Sequence, residues 1–286
     1  MRSRRITASS HRSLPLHLAI DHTTRYRFAE PVAYALQRLR IMPKATQGQV
    51  VLDWHVEYEG VKEELSYEDQ NCNRVTLVSV APGTSEVVIR CHGTVQTEDR
   101  AGVMGPHSGN LPLWGFSSQT AYTRPGPKIR ALVAAVRREE RDLLGQLHAL
   151  SAMILEHVAY EAGHTGVETT AEQAMEAGHG VCQDHAHIFL SGVRLLGVPA
   201  RYVSGYLMMD DRVNQEATHA WAEAYVEGLG WVGFDVANGI SPDARYIRVA
   251  TGRDYRDAAP ITGISFGGVE EELHVQLAVE RQFTQQ

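Results

Sequence analysis

The hydrophobic pattern of this 286-residue chain changes its period once, and that change limits the folds open to it. Before residue 101, short runs rich in β-branched residues alternate with turn signals, as in the strands of an all-β unit. After Lys128, apolar residues recur at steps of three and four, which is typical of amphipathic helices. The sequence therefore predicts a β-rich region followed by a region that contains helices.

Four runs in the first hundred residues have the composition of strands, and no long helical period interrupts them. Turn signals such as Glu59-Gly60 and Pro82-Gly83 lie between the runs. Several short strands at this spacing are typical of a β-sandwich. The predicted strands are Leu16–Ile20, Val50–Tyr58, Arg74–Val80 and Glu86–Val95.

Residues 101–127 contain five glycines and four prolines, which indicates a linker or surface crossing. Its aromatic residues Trp114, Phe116 and Tyr122 indicate that it packs against the protein. Residues 1–13 are polar and basic, as in a mobile arm. The expected division is a mobile N-terminal arm 1–13, a β-sandwich domain 14–100, a linker 101–127 and a second domain 128–286.

The second domain begins with helical spacing and continues with strands. Two helices are predicted around 129–136 and 143–154. The clearest helix has apolar residues at steps of three and four from Ala186 to Leu196, and Gly197 follows as a stop signal. The predicted strands are Ala200–Leu207, His219–Val226, Trp231–Val236 and Leu273–Val279.

Composition argues against several classes of function. A formal net charge of −7 disfavours a broad nucleic-acid-binding surface. Three cysteines are too few for a disulfide framework, and they predict a reducing, cytoplasmic compartment. The chain has no apolar run of the ~20 residues that a membrane helix needs, so we expect no membrane partner. It also has no phosphate-binding glycine loop and no HExxH zinc motif, so we expect no cofactor and no metal.

Cys182 lies at the start of the clearest helix, shortly after Gly178 and Gly180. Unpaired backbone N–H groups at a helix start favour negative charge, which biases a thiol toward thiolate. The same N–H groups can donate to the oxyanion that forms when a thiolate attacks a carbonyl. A lone cysteine is most often an inert core residue, but this position favours a nucleophile. Cys72 and Cys91 lack this context, and we expect both to pack within the β-rich region.

A histidine and an aspartate follow on successive predicted strands, joined by the turn Glu227-Gly228-Leu229-Gly230. If Val226 pairs with Gly230 around a three-residue loop, His219 and Asp235 become diagonal neighbours on one sheet face. Their Cβ atoms then lie roughly 7–8 Å apart, whereas a two-residue loop would place the side chains on opposite faces. We therefore predict an odd-numbered loop or a bulge, with His219 as general base and Asp235 as its orienting carboxylate.

Other histidines close to Cys182 allow competing interpretations. His185 lies one helical turn away and could be the base, but a single rigid helix leaves little freedom for proton transfer. A metal site is a further alternative, and its candidate ligands are Asp184, His185, His187 and His219. Residues two apart on a helix point to different faces, so the ligand spacing disfavours a metal.

Two stretches resemble the core motif of bacterial transglutaminase-like proteins. They are GVCQDHAHIFLSGVRLLGVPARYVSGYL and HAWAEAYVEGLGWVGFDVANG. Shorter segments that resemble the same family are Thr169-Thr170-Ala171, Gly252-Arg253-Asp254-Tyr255, Ala259-Pro260, His22-Thr23-Thr24-Arg25-Tyr26, Pro31-Val32 and Leu39-Arg40. The resemblance covers most of the chain and departs at Val236-Ala237-Asn238, where the family usually has Pro-Thr-Asn. We expect this departure to change the stiffness of the turn rather than the chemistry.

The resemblance implies an α+β fold, in which an N-terminal β-sandwich is followed by a papain-like transglutaminase core at 128–286. In such a core a helix bearing the cysteine packs on an antiparallel sheet bearing the histidine and the aspartate. The resemblance also implies thiol acyl-enzyme chemistry with the catalytic triad Cys182, His219 and Asp235. Gln183 is a weak candidate for a side-chain oxyanion donor, and we expect Asp184 to brace the helix start.

The expected reaction is hydrolysis of an amide or peptide bond through a thioester, with a peptide or protein amide as substrate. Transamidation of a glutamine by an amine is one alternative. A non-catalytic module that binds peptides is the other.

Overall fold

A computed structural model describes residues 14–139, 142–266 and 271–282. The helices are α1 Pro127–Glu139, α2 Leu143–His157, α3 Ala171–Ala177, α4 Cys182–Leu195 and α5 Tyr255–Ala258. The strands are β1 Leu16–Val32, β2 Tyr34–Leu39, β3 Gln49–Glu59, β4 Val61–Glu68, β5 Arg74–Val80, β6 Thr84–Thr97, β7 Val103–Gly105, β8 Ala159–Tyr160, β9 His179–Gly180, β10 Ala200–Leu207, β11 Asn214–Gln215, β12 His219–Val226, β13 Gly230–Phe234, β14 Tyr246–Gly252, β15 Ile261–Phe266 and β16 Glu271–Arg281. Over these ranges no helix combines the length and the apolar character needed to cross a membrane. The arm predicted at 1–13 lies outside the described residues.

The fold is α+β, as expected, and its β-rich part is a sandwich of two antiparallel sheets. One sheet has the strand order β11-β16-β1-β6-β3 and the other β15-β2-β5-β4. Their inner faces share one hydrophobic core, built from Tyr26, Phe28, Val32, Ala35, Leu39, Ile41, Val78, Val80, Val87, Ile89 and Cys91. All four runs predicted as strands in the first hundred residues lie within strands of this sandwich.

Strand β1 connects the sandwich to the rest of the protein because it is long enough to cover two cores. Alternate residues along a strand point to one face, and from Leu18 to Phe28 every second side chain of β1 is buried. Tyr26 and Phe28 belong to the sandwich core. Leu18 and Ile20 pack instead against Ile247 and neighbouring residues of a second sheet.

That second sheet, which we call the core sheet, has the order β14-β10-β12-β13-β7 and carries the helices on one face. Helix α4 is buried along nearly its whole length and packs on β10 and β12. It ends where the sequence predicted, because Gly197 adopts the left-handed conformation with φ 85°. The predicted strands Ala200–Leu207 and His219–Val226 are confirmed residue by residue.

Both ends of the chain contribute to the sandwich. Strand β15 pairs with β2 and β16 pairs with β1, although the predicted domain 128–286 contains both. Strand β7, from the predicted linker 101–127, pairs with β13 of the core sheet. The pairing partners of these strands are distant in sequence, so the local pattern could predict strands but not their sheet. The division into domains at these boundaries remains a prediction.

A buried polar interface joins the sandwich to the edge of the core sheet. The Gln49 side chain accepts from the backbone N–H of Arg248 at 2.8 Å and donates to its carbonyl at 2.8 Å. Asn73 pairs with Thr251 in the same way, at 2.9 and 2.8 Å. Two side-chain amides thus occupy the place that a neighbouring strand would take along β14.

Candidate active site

The start of helix α4 is held by an aspartate, and Cys182 is its first residue. Asp184 is buried, and its Oδ2 accepts from the Val181 backbone N–H at 2.8 Å and from the Thr165 hydroxyl at 2.7 Å. Gly180 permits this arrangement, because a Cβ there would lie 2.7 Å from the Asp184 side chain. The structure confirms Asp184 as the brace of the helix start. Cys182 is left partly exposed at the end where N–H groups lack helical acceptors.

The predicted turn register is confirmed, and it brings His219 to Asp235. Val226 pairs with Gly230 around a three-residue loop, and the ladder continues to Ala222 opposite Phe234. The next residue, Asp235, therefore lies diagonally from His219 on the same face. His219 Nε2 donates to Asp235 Oδ2 at 2.6 Å, and the aspartate is fully buried.

Cys182 also acts on His219, because it contributes to the raised pKa of the imidazole. Burial disfavours the charged imidazole, but the hydrogen bond to Asp235 and the influence of Cys182 outweigh it and raise the pKa of His219 to about 10. Because Nε2 is used by Asp235, Nδ1 is the ring nitrogen available to the thiol. The raised pKa favours a protonated imidazole at neutral pH.

Asp235 is surrounded by donors that keep it ionised. Its Oδ2 accepts from Asn238 Nδ2 and from the Tyr246 hydroxyl, each at 2.7 Å, in addition to His219. Burial raises the pKa of the Asp235 carboxyl, but these three hydrogen bonds together bring it below its usual value. Tyr246 was missed by sequence reasoning because it lies on β14, and only the folded sheet brings it to the carboxylate.

A second tyrosine that the sequence did not reveal is influenced electrostatically by Cys182. Burial, together with the electrostatic influence of Cys182 and Asp235, raises the pKa of Tyr160. The Tyr160 side chain remains 56% exposed. Cys182 also influences the pKa of Tyr202, but that side chain is fully buried. Tyr160 belongs to the two-residue strand β8, which pairs with β9 just before the cysteine. So short a strand has no detectable period in the sequence.

The competing candidates have other contacts. Gln183 Nε2 donates to the Val167 carbonyl at 3.4 Å. His185 is buried, and its ring nitrogens face the carbonyls of Val181 and Val158 at 2.9 and 3.0 Å, so neither is available as a base. His187 is stacked between aromatic rings, and burial lowers its pKa to about 3. Among the described residues, no group of three or more potential ligands could hold a metal.

Comparison with known proteins matches the N-terminal β region and the region that contains Cys182, His219 and Asp235. Residues 130–236 match the family described as "Transglutaminase-like superfamily", and residues 18–96 match the "Bacterial transglutaminase-like N-terminal region". An uncharacterized protein of Mycobacterium leprae is 26% identical over 281 residues, covering 92% of this chain and 98% of its own. An uncharacterized protein of Mycobacterium tuberculosis is 35% identical over 155 residues, covering 51% of this chain and 49% of its own.

A solved structure shares the fold over nearly the whole length. It is named "Putative Cysteine Protease from Cytophaga hutchinsonii", is 22% identical, and covers 96% of this chain and 94% of its own with a TM-score of 0.72. The two family matches show that the chain belongs to the transglutaminase-like superfamily and carries the bacterial N-terminal region of that family.

Proposed function

We propose that this protein is a thiol-dependent acyl-transfer enzyme that hydrolyses an amide or peptide bond. The observation that carries the proposal is the 2.6 Å hydrogen bond from His219 to the buried Asp235, together with the influence of Cys182 on the pKa of the same imidazole. A partly exposed thiol, a histidine with a raised pKa and an ionised carboxylate are the parts that nucleophilic catalysis requires. The fold shared with a protein named as a cysteine protease supports the same reading.

The first step would form a thioester. The Cys182 thiolate attacks the substrate carbonyl carbon, and the electron pair of the C=O bond moves to oxygen. The backbone N–H of Cys182 at the helix start would donate to that oxyanion, and Tyr160, whose pKa Cys182 influences, is a candidate for the second donor. His219 then gives its proton to the amide nitrogen, the C–N bond breaks, and the amine leaves.

The second step would release the acid. His219, now neutral, takes a proton from water while the water oxygen attacks the thioester carbon. The C–S bond breaks, the carboxylic acid leaves, and the thiolate beside the imidazolium is restored. Asp235 holds the imidazole in one tautomer throughout, because its Oδ2 accepts from Nε2. An amine in place of water would give transamidation from the same thioester.

Selective alkylation tests the nucleophile. Iodoacetamide at neutral pH, followed by peptide mapping, should modify Cys182 faster than Cys72 or Cys91. Both comparison thiols should be alkylated slowly, because a raised pKa leaves little thiolate at neutral pH. Burial raises the pKa of Cys91 to about 12, and burial together with Glu68 raises the pKa of Cys72. His219→Ala should remove the preference. Equal labelling of the three cysteines would contradict the proposal.

The acceptor is tested with a glutamine-containing peptide, incubated with and without a primary amine. Mass spectrometry should show the free acid, or a shortened peptide, in both incubations. An amine adduct would instead show that the acyl group passes from the thioester to the amine, so that the activity is transamidation rather than hydrolysis. A selectively reactive Cys182 that processes none of a peptide library would instead favour the non-catalytic binding module.

A further inference from the structure

One oxygen of the Asp235 carboxylate accepts three hydrogen bonds. Its Oδ2 lies 2.6 Å from His219 Nε2, 2.7 Å from Asn238 Nδ2 and 2.7 Å from the Tyr246 hydroxyl. Three donors on one oxygen, two of them from outside the turn that carries Asp235, leave this group little freedom to rotate.

The Tyr246 ring is fixed independently of Asp235. Tyr246 is 5% exposed and is the first residue of β14, which pairs with β10. Its ring meets Trp221 edge-on at a centroid distance of 5.3 Å and lies 6.0 Å from the His219 ring. Packing therefore sets the position of the hydroxyl before it meets the carboxylate.

Tyr246 and Asn238 hold the carboxylate in different ways. Asn238 is three residues from Asp235, in the turn that Asp235 closes by pairing with Ile240. A movement of that turn carries Asp235 and Asn238 together. Tyr246 lies on a separate strand, so its hydroxyl fixes the carboxylate relative to the core sheet that also carries His219.

We propose that Tyr246 is a positioning residue for the reaction: its hydroxyl fixes Asp235 Oδ2 against His219, so that the imidazole keeps one orientation toward Cys182. This inference rests on the proposed function. Tyr246 is buried, and it would act through Asp235.

The charges around this contact agree with a donor role. Burial and Asp235 raise the pKa of Tyr246 well above its usual value, so the hydroxyl keeps its proton and donates it. The hydrogen bond from Tyr246 in turn helps to lower the pKa of Asp235. Among the described residues, the other titratable or charged groups that act on this pair are His219 and Tyr160 at Asp235, and Asp243 and Arg245 beside Tyr246.

The test is the pH profile of Cys182 alkylation in wild type, Tyr246→Phe and a matched control. The Tyr246 hydrogen bond helps to lower the pKa of Asp235, so without it Asp235 should be protonated, and its hold on His219 weakened, at a higher pH. We expect the acid limb of Tyr246→Phe to move up by about one pH unit, with kcat about tenfold lower and KM unchanged. Tyr206→Phe also removes a buried hydroxyl, one that contacts His22 and Cys91, and it should leave the limb in place.

Two outcomes would overturn the inference. One is a Tyr246→Phe profile that overlays wild type, and the other is an equal shift in Tyr206→Phe. If Tyr246→Phe does not fold, 3,5-difluorotyrosine at position 246 keeps the ring and strengthens the donor, and the limb should then move to lower pH; an unchanged limb refutes the role. Failure of the proposed function is distinguishable, because wild type itself would then show no selective Cys182 reaction.

Discussion

Replacing the buried Glu223 by glutamine measures what a charge contributes inside this fold. Glu223 is fully buried on β12, and its Oε2 accepts from Arg201 Nε at 2.6 Å and from Arg248 Nη2 at 2.9 Å. Burial opposes its ionisation, but the two guanidinium groups outweigh it and lower the pKa of Glu223. Glutamine keeps the shape of the side chain but removes its charge, so the buried guanidinium groups of Arg201 and Arg248 lose their counter-ion. Breaking such a pair costs about 3–5 kcal/mol, a large part of a typical folding free energy of about 5–15 kcal/mol.

Glu86→Gln is the matched control. Glu86 also contacts two arginines, Arg25 and Arg27, each at 3.0 Å, but on the exposed face of the sandwich. Urea unfolding at pH 7, followed by tryptophan fluorescence, should show a much lower midpoint for Glu223→Gln and a midpoint near wild type for Glu86→Gln, with similar m-values. Equal midpoints for the two variants would refute the argument that burial determines how much a charge contributes to folding stability.

Two further predictions concern the candidate site. The pKa of His219 is raised from 6.5 to about 10 on folding, so this group stabilises the fold fully below about pH 6.5 and progressively less up to pH 10. In His219→Ala the unfolding free energy should no longer fall with pH over this range. Parallel curves for wild type and the variant would contradict the prediction. Gly180→Ala places a Cβ 2.7 Å from Asp184 and should slow Cys182 alkylation roughly fivefold, the equivalent of a lost cap of ~1 kcal/mol. Gly166→Ala, which meets open space, is its control, and equal rates in both variants would show that the brace does not position the thiol.

The parts of the site that sequence could predict are those encoded by local patterns. The spacing from Ala186 to Leu196 predicts helix α4, and the helix start places Cys182. The strand period and the two glycines of the β12–β13 turn predict the pairing of Val226 with Gly230, which brings His219 to Asp235. Each inference uses residues that are neighbours in sequence, where periodicity and turn chemistry determine geometry.

The parts that sequence could not predict depend on contacts between distant residues. Strand β16 alternates like any half-buried strand, and nothing in that pattern says that its partner is β1. Tyr246 reaches Asp235 only because β14 lies in the same sheet as β12, separated from it by β10. Glu223 resembles an outward-facing strand residue until Arg201 and Arg248 are known to lie beside it.

The N-terminal β region supports the strand that carries Tyr246 to the candidate site. Strand β14 is an edge strand of the core sheet, and buried backbone groups without partners cost about 1–3 kcal/mol each. Gln49 and Asn73, both from the N-terminal region, satisfy the N–H and C=O groups of two residues along that edge. The same strand presents Tyr246 to Asp235. Residues 130–236, which match the superfamily core, include neither β14 nor these two amides, so in this chain the support of Asp235 extends beyond that core.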